Sequence, residues 1–201
     1  MFKLDIEGRV FDRPSSDTLT IAVPHHTEGY KAPVLVSGRY EGREALWDEL
    51  EEGETIWVSG NGYQRREDGF VDLCVDIERF GRPGSGLTPG VNAGIQASCH
   101  GRIFDRVTRE LAGGGRRAGE DVSKFTLTVN VPEMRAGQCV IVSCKVWGAE
   151  AKFIADQHRK GDRINVEGPL LELRFQAADG TPQRTHQLMV KRWTYGKDRP
   201  G

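Results

Sequence analysis

The hexapeptide GRVFDR at Gly8–Arg13 returns with a single change as GRIFDR at Gly101–Arg106. A repeat with a period of a few tens of residues would suggest a solenoid. A single repeat at the length of a domain instead suggests tandem duplication. A duplicated domain should repeat itself, in order, further along the chain.

Further blocks recur in the same order after each hexapeptide. They are TLTIAVP (Thr18–Pro24) and TLTVNVP (Thr126–Pro132), VLVSGRYEG (Val34–Gly42) and VIVSCKVWG (Val140–Gly148), and GETIWVSG (Gly53–Gly60) and GDRINVEG (Gly161–Gly168). An Asp-Gly turn follows in each half, at Asp68 and at Asp179. This ordered series predicts two copies of one domain.

The stretch between the copies, GRPGSGLTPGVNAG at Gly81–Gly94, has the composition of a linker. It is rich in Gly, Pro and Ser and shows no apolar period. We therefore predict a first domain at 1–81, a linker at 82–94, a second domain at 95–196 and a short tail at 197–201.

The bulk composition bounds the class of protein. Hydrophobic residues make up 37% of the chain and the net charge is −1, so the chain is not basic overall, although a cationic groove remains compatible with these values. No apolar run is long enough to span a membrane, and the N-terminus lacks a signal-peptide core. The four cysteines form no CxxC pair. We expect reduced thiols and a cytoplasmic location.

The order of elements is clearest in the second half. Lys124–Pro132 alternates apolar and polar residues as a half-buried strand does, and Val140–Gly148 is rich in β-branched residues. Ala149–Gly161 has helical spacing and ends on Gly. A strand before these and two strands after them give the order three strands, helix, two strands. This is the order of a five-stranded Greek-key barrel of the oligonucleotide/oligosaccharide-binding (OB) type.

The first half follows the same order, with REALWDELEEG (Arg43–Gly53) as its helix and Leu46 and Leu50 facing the barrel. We therefore predict an all-β fold with one short helix per domain. It consists of two tandem OB-fold five-stranded Greek-key barrels that arose by internal duplication.

The segment Val140–Phe175, VIVSCKVWGAEAKFIADQHRKGDRINVEGPLLELRF, resembles the central part of bacterial-type single-stranded-DNA-binding proteins, in a form with two OB domains in one chain. The resemblance extends over residues 97–193, and the first half shares it mainly through its match to the second. It implies sequence-nonspecific binding and protection of single-stranded DNA in replication, recombination or repair. It also implies a homodimer with four barrels. The family's long tail with an acidic tip, which recruits partners, has no counterpart in the closing YGKDRPG.

The resemblance places DNA-stacking rings at Trp147 and Phe175. Lys145 lies two residues from Trp147 and so shares its strand face. Glu41 replaces the ring of Trp147 in the first half. The candidate DNA-binding residues are Trp147, Phe175, Lys145, Arg174, Arg184, Arg116 and Arg117 in the second half, and Tyr40, Arg39, Tyr63 and Arg65 in the first.

Other functions find less support in the sequence. Trp47, Trp57 and Trp193 are interpreted as core or interface residues. Adjacent His25 and His26 face opposite ways on an extended chain, and there is no phosphate-binding glycine motif, GxSxG motif or carboxylate cluster. We therefore predict no catalytic residue, metal or cofactor. A tandem OB module that binds RNA or docks a protein remains the alternative, since stacking barely senses the 2′-hydroxyl.

Overall fold

The computed structural model describes residues 1–25, 32–42, 44–67, 70–83, 94–129 and 138–196, with the backbone alone for 67, 138 and 139. The predicted turn at Asp68, most of the predicted linker, His26 and the tail at 197–201 lie outside these ranges. Strands end at Gly81 and begin at Gly94 on the two sides of the predicted linker.

The first barrel contains five strands and one helical turn. Its elements are β1 (Phe2–Ser15), β2 (Thr18–Val23), β3 (Val34–Arg39), α1 (Ala45–Asp48), β4 (Thr55–Glu67) and β5 (Phe70–Gly81). Antiparallel pairs join β1 to β2, β2 to β3, β4 to β5 and β1 to β4. The parallel pair of β3 with β5 closes the barrel.

The second barrel repeats this topology with additional short strands. Its elements are β6 (Gly94–Ile103), β7 (Thr108–Leu111), a 3-10 turn (Gly115–Arg117), β8 (Asp121–Thr128), β9 (Gln138–Cys139), β10 (Ile141–Trp147), α2 (Ala149–Gln157), β11 (Arg163–Gln176), β12 (Pro182–Met189) and β13 (Arg192–Tyr195). Strands β6, β8, β10, β12 and β11 close in the same order as β1, β2, β3, β5 and β4, and β10–β12 is the parallel pair. The predicted fold of two duplicated OB barrels is confirmed.

Alternating side chains fill both barrels. On β1, Phe2, Leu4 and Ile6 are buried, and on β10 Val142, Cys144 and Val146 are buried. The antiparallel pairing of β1 with β6, from Phe2 opposite Cys99 to Glu7 opposite Gly94, then joins the barrels into one continuous sheet. The period of two in the sequence therefore fixes both cores, and the hydrogen bonds of the first strands hold the two barrels together.

Three local elements differ from the sequence prediction. Helix α1 is a single turn. Trp47 in the helix and Leu50 just after it are buried, while Leu46 is only partly buried. The acidic run after it is unfavourable at a helix C-terminus. The segment after β6, which the predicted order of elements leaves as a loop, forms the hairpin β7–β8. The last strand is split into β12 and β13.

Within the described ranges, no helix has the length and apolar character needed to cross a membrane.

Candidate nucleic-acid interface

Strand β10 presents a row of outward side chains, Ile141, Ser143, Lys145 and Trp147, between its buried residues. The row ends where Gly148 adopts φ +69°, a left-handed conformation that side chains rarely take, and α2 begins at the next residue. This glycine therefore ends the strand directly after Trp147 and leaves the ring at the rim of the barrel.

The Trp147 ring is half-buried and has two cationic side chains close to it. It lies opposite Val122 of β8, and Val122 is buried although it is on the outer face of its strand. The Lys145 ammonium is 4.4 Å from the ring centroid, and the Arg117 guanidinium is 5.0 Å away. Cations over an indole face are attracted to its quadrupole, so the ring and the two cations form one stable group.

Lys145 also lies directly opposite Lys124 of β8. Like charges in directly opposed positions destabilise a sheet. Burial, and then the Lys124 charge, lower the pKa of Lys145. Lys124 forms an ion pair with Glu110 of β7, while Lys145 has no carboxylate within ion-pair distance in the part of the chain that the structure describes. An anion beside Lys145 would relieve this repulsion.

The hairpin of β11 and β12 continues the same outer surface. Ser143 lies opposite Gln187 of β12, which lies opposite Leu171 of β11. Further along β11, Leu173 and Phe175 point to the same side, and Phe175 is 48% exposed. We call the outer residues Lys124, Ile141, Lys145, Trp147, Leu173 and Phe175 the aromatic face.

Hairpin β7–β8 folds over one end of this face. Its backbone bonds run from Ala112 N–H to Glu120 and from Gly119 N–H back to Ala112. The 3-10 turn at its tip places Arg117 over Trp147, and an ion pair of 3.2 Å with Glu120 fixes Arg117 further. Arg116 in the same turn is exposed. The structure thus brings Arg117 to the site and leaves Arg116 beside it.

Arg174 and Arg184 lie on the opposite side of the hairpin from Phe175. Strand alternation directs both inward, toward the first barrel, where Arg174 donates to the carbonyl of Pro33 at 3.2 Å. Arg184 pairs with Asp72 of β5, and its guanidinium is 5.3 Å from the Phe70 ring. The sequence predicted both as DNA-binding residues, whereas the structure directs them toward the first barrel, on the side of the hairpin away from Phe175. Both join the two barrels.

The contact between this hairpin and the first barrel includes a buried polar pair. His186 of β12 lies opposite Glu172 of β11 and is 1% exposed, with 4.0 Å between their nearest nitrogen and oxygen. Burial lowers the pKa of His186 to about 4. Neither of its ring nitrogens has a hydrogen-bond partner in the described ranges. The imidazole therefore stays neutral at physiological pH.

Tyr40 and Tyr63 do not reach the surface that the sequence assigned to them. Each is 8% exposed. The Tyr40 ring lies against Trp47 and Phe80, at centroid distances of 5.0 and 4.9 Å, and its hydroxyl donates to Glu44. Tyr63 lies opposite Cys74 in the β4–β5 sheet. Because both rings belong to the core of the first barrel, we correct their assignment as stacking residues.

The two arginines that the sequence predicted as DNA-binding residues of the first barrel, Arg39 and Arg65, both have carboxylates near them. Arg39 forms ion pairs with Asp17 at 3.3 Å and with Glu41 at 3.1 Å. Hydrogen bonds, led by that of Ser15, lower the pKa of Asp17 and so hold its negative charge. Arg65 is exposed and lies opposite Asp72. At the position of Trp147 the first barrel therefore has an acidic surface.

Trp47, Trp57 and Trp193 lie away from the aromatic face. Trp47 and Trp57 are each 2% exposed, and the partly buried Trp193 contacts Phe153 of α2 at 5.4 Å between ring centroids. Of the four tryptophans, Trp147 is therefore the one that belongs to the aromatic face, and it is half-buried.

The described ranges contain no cluster of metal ligands. No group of three or more His, Cys, Asp or Glu side chains there could hold a metal ion. Cys74, Cys99 and Cys144 are free and buried, and burial raises the pKa of Cys74 to about 11 and that of Cys99 to about 12. These thiols therefore stay protonated and unreactive.

Sequence reasoning missed Lys124, Ile141 and Leu173 on the aromatic face. Ile141 and Leu173 are each 37% exposed. The period of two, counted back from Trp147 and from Phe175, would have found both apolar residues. Lys124 becomes visible only through the register of β8 with β10.

The aromatic face lies within the part of the chain that matches a known family. Residues 101–195 match the model of the Single-strand binding protein family. The match covers most of the second barrel and falls on the residues, 97–193, whose sequence resembles this family. A search of curated proteins finds no match.

Solved structures with the same fold cover both barrels. The wild-type single-stranded DNA binding protein from Thermus aquaticus aligns over 100% of this chain and 95% of its own, with a TM-score of 0.64 and 20% identity. A deletion mutant of that Thermus aquaticus protein, which also carries a point substitution, aligns over 100% of this chain and 97% of its own, with a TM-score of 0.63 and 20% identity. At this identity the likeness establishes the shared architecture.

Proposed function

We propose that this protein binds single-stranded DNA without sequence preference and protects it during replication, recombination or repair. The observation that carries the proposal is Trp147 at the rim of the second barrel, half-buried, with Lys145 and Arg117 over its ring. The match to the Single-strand binding protein family supports it.

The aromatic face has the two features that recognition of an unpaired strand requires. Trp147 and Phe175 present rings on which bases can stack, at roughly 1–3 kcal/mol per base. Lys145 and Arg117 lie beside the Trp147 ring and Lys124 lies opposite Lys145, so these cations can bind phosphates next to a base stacked on Trp147. Base edges are not read by such a surface, so the binding is independent of sequence.

Titration of the full chain with oligo-dT, followed by tryptophan fluorescence, tests this function. Of the four tryptophans, Trp147 lies on the aromatic face, so stacking should quench its emission. Affinity should fall as salt rises, with a slope of about 0.7 per phosphate contact. An unchanged emission and an absence of salt-dependent binding would refute the function and favour a protein-docking module.

The alternative of RNA binding is separated by competition. If oligo-dT occupies the aromatic face, structured RNA should displace it poorly, because paired bases cannot stack on Trp147 and Phe175. Ready displacement by structured RNA would reassign the ligand.

Assembly and location complete the proposal. From the family resemblance we expect a homodimer that presents four barrels, and light scattering at micromolar concentration should give twice the mass of one chain. The protein acts as a binding protein and not as an enzyme. The free, buried thiols support a cytoplasmic location, because disulfides are rare in reducing compartments.

A further inference from the structure

The repeated hexapeptides each expose one phenylalanine. Phe11 is 55% exposed on the first barrel and Phe104 is 57% exposed on the second. Exposed single apolar residues are common, but a ring at the same position in two copies of one domain offers an internal comparison.

The backbone around the two rings is the same. Val10 N–H donates to Glu54 and Gly53 N–H donates to Val10, at 2.9 and 2.7 Å. In the second barrel Ile103 N–H donates to Asp162 and Gly161 N–H donates to Ile103, at 2.9 and 2.8 Å.

Both glycines have positive φ, +84° for Gly53 and +93° for Gly161. The loop that precedes β4 or β11 is therefore held beside the exposed phenylalanine in the same way in both barrels.

The loop that precedes β4 and the loop that precedes β11 carry charges of opposite sign. The residues before Gly53 are Glu51 and Glu52, whereas those before Gly161 are Arg159 and Lys160. The Lys160 ammonium is 5.5 Å from the Phe104 centroid. In this loop, then, the first barrel carries negative charge and the second carries positive charge.

Three cations of the second barrel border an open cavity of about 600 Å³, which Asp156 also lines. They are Arg106, Arg159 and Lys160, and all three are exposed. Arg159 is partly engaged, since it donates to the carbonyls of Ala155 and His158 at the end of α2. In the first barrel, the counterpart of Arg106 is Arg13, which donates to the carbonyl of Leu50 at 3.2 Å.

Phe104 lies in one row with the aromatic face. Its N–H donates to the carbonyl of Thr126 on β8, and Thr126 lies opposite Ser143 in the middle of β10. Asp105 fixes this junction, since its carboxylate accepts bonds from the N–H and the hydroxyl of Thr126, both at 2.8 Å. Two strand spacings, about 10 Å, therefore separate Phe104 from β10.

We propose that Phe104, Arg106, Arg159 and Lys160 form a second contact for the same single strand. A base stacks on Phe104 and the three cations bind the adjoining phosphates after the strand has crossed β8 from the aromatic face. The proposal rests on the proposed function. A strand long enough to leave the aromatic face uses this contact, and a shorter one does not.

The test compares two lengths of oligo-dT on the full chain, one of about 5 and one of about 30 nucleotides, since one OB fold covers roughly 4–16. Phe104→Ala should weaken binding of the longer strand about fivefold and leave the shorter one unchanged. The matched control is Phe11→Ala, an equally exposed ring, which should change neither. The double variant Arg159→Glu and Lys160→Glu reproduces the first barrel's charges and should lower the salt slope for the longer strand by about 1.4, the value for two phosphate contacts.

Equal effects of Phe104→Ala and Phe11→Ala on the longer strand would overturn the inference, as would an unchanged salt slope in the double variant. Failure of the proposed function gives a different result. In that case Trp147→Ala would leave both lengths unchanged, which would also remove the basis for this contact. Weakening of both lengths by Trp147→Ala, without any effect of Phe104→Ala, would overturn this inference alone.

Discussion

The two barrels share one topology and differ in the charge of matched surface positions. Where the second barrel has Trp147 at the end of its third strand, the first has Glu41. Counting from the matched Gly53 and Gly161, Glu67 takes the position of Phe175. Arg159 and Lys160 likewise correspond to Glu51 and Glu52.

The fold and the binding of a ligand therefore depend on separate sets of residues. The inward residues of both copies remain apolar, so both barrels close in the same way. The outward residues are free to change, and in the first barrel carboxylates replace two rings and two cations. Carboxylates repel a phosphate backbone, so we infer that the second barrel binds the DNA and the first serves as its partner in the sheet.

The largest effect we expect concerns the buried pair Glu172 and His186, whose counterparts in the first barrel are the buried Gln64 and Leu73. The folded protein lowers the pKa of His186 from 6.5 to about 4, so the unfolded chain binds the proton more tightly. Stability is therefore retained above pH 6.5 and falls as the pH drops toward 4, by up to roughly 3 kcal/mol.

Denaturant unfolding at several pH values measures this loss, and His186→Leu, which installs the residue of the first barrel, is the comparison. The variant should lose the component that falls between pH 6.5 and 4. If wild type and variant show parallel pH profiles, the pH sensitivity does not arise at this hairpin.

The second effect concerns the ring that the first barrel lacks. Trp147→Ala should weaken oligo-dT binding by roughly 1–3 kcal/mol, or about 5- to 150-fold, since one stacking platform is lost. Fluorescence anisotropy of labelled oligo-dT gives the affinity. Glu41→Ala at the matched position should cause no loss. An equal loss in the two variants would contradict the asymmetry between the barrels.

A third and smaller effect concerns the cations over that ring. Lys145→Ala should reduce the salt slope of binding by about 0.7, the value for one phosphate contact with a single strand. Arg39→Ala is the matched control in the first barrel, where Asp17 and Glu41 already neutralise the cation. The measurement is oligo-dT affinity across a salt series, and equal slopes for wild type and Lys145→Ala would exclude Lys145 as a phosphate ligand.

The smallest effect on affinity is expected at Arg184, although the sequence suggested otherwise. Arg184→Ala removes the ion pair with Asp72 between the barrels, so it should lower the melting temperature while oligo-dT affinity changes less than about twofold. Thermal unfolding and anisotropy on the same sample separate the two. A loss of affinity with unchanged stability would return Arg184 to the DNA surface.

The duplicated fold could be predicted because its signals are local. The period of two in Lys124–Pro132 and the Gly that ends Val140–Gly148 each specify one element, and the order of elements then limits the topology. The same period placed Lys145 beside Trp147. The predicted length of helix α1 was wrong. The helix buries the single residue Trp47 and ends after one turn, which the helical pattern of Arg43–Gly53 does not show.

The errors at the site arise from contacts between distant parts of the chain. Arg174 and Arg184 were predicted to bind DNA, but which side of the hairpin faces the first barrel depends on the pairing of β1 with β6. Tyr40 is buried because Trp47 and Phe80 surround it, and Phe80 lies forty residues away. Neither contact leaves a pattern in the neighbouring sequence.

Photocrosslinking shows directly which of the two barrels contacts the DNA. The intact chain is irradiated with oligo-dT that carries 5-iodouracil, and the crosslinked peptides are located by mass spectrometry. If the second barrel binds the DNA, we expect crosslinks within residues 94–196, centred on Trp147 and Phe175, and few within residues 1–81. Crosslinks divided evenly between the two barrels, or concentrated in the first, would contradict it.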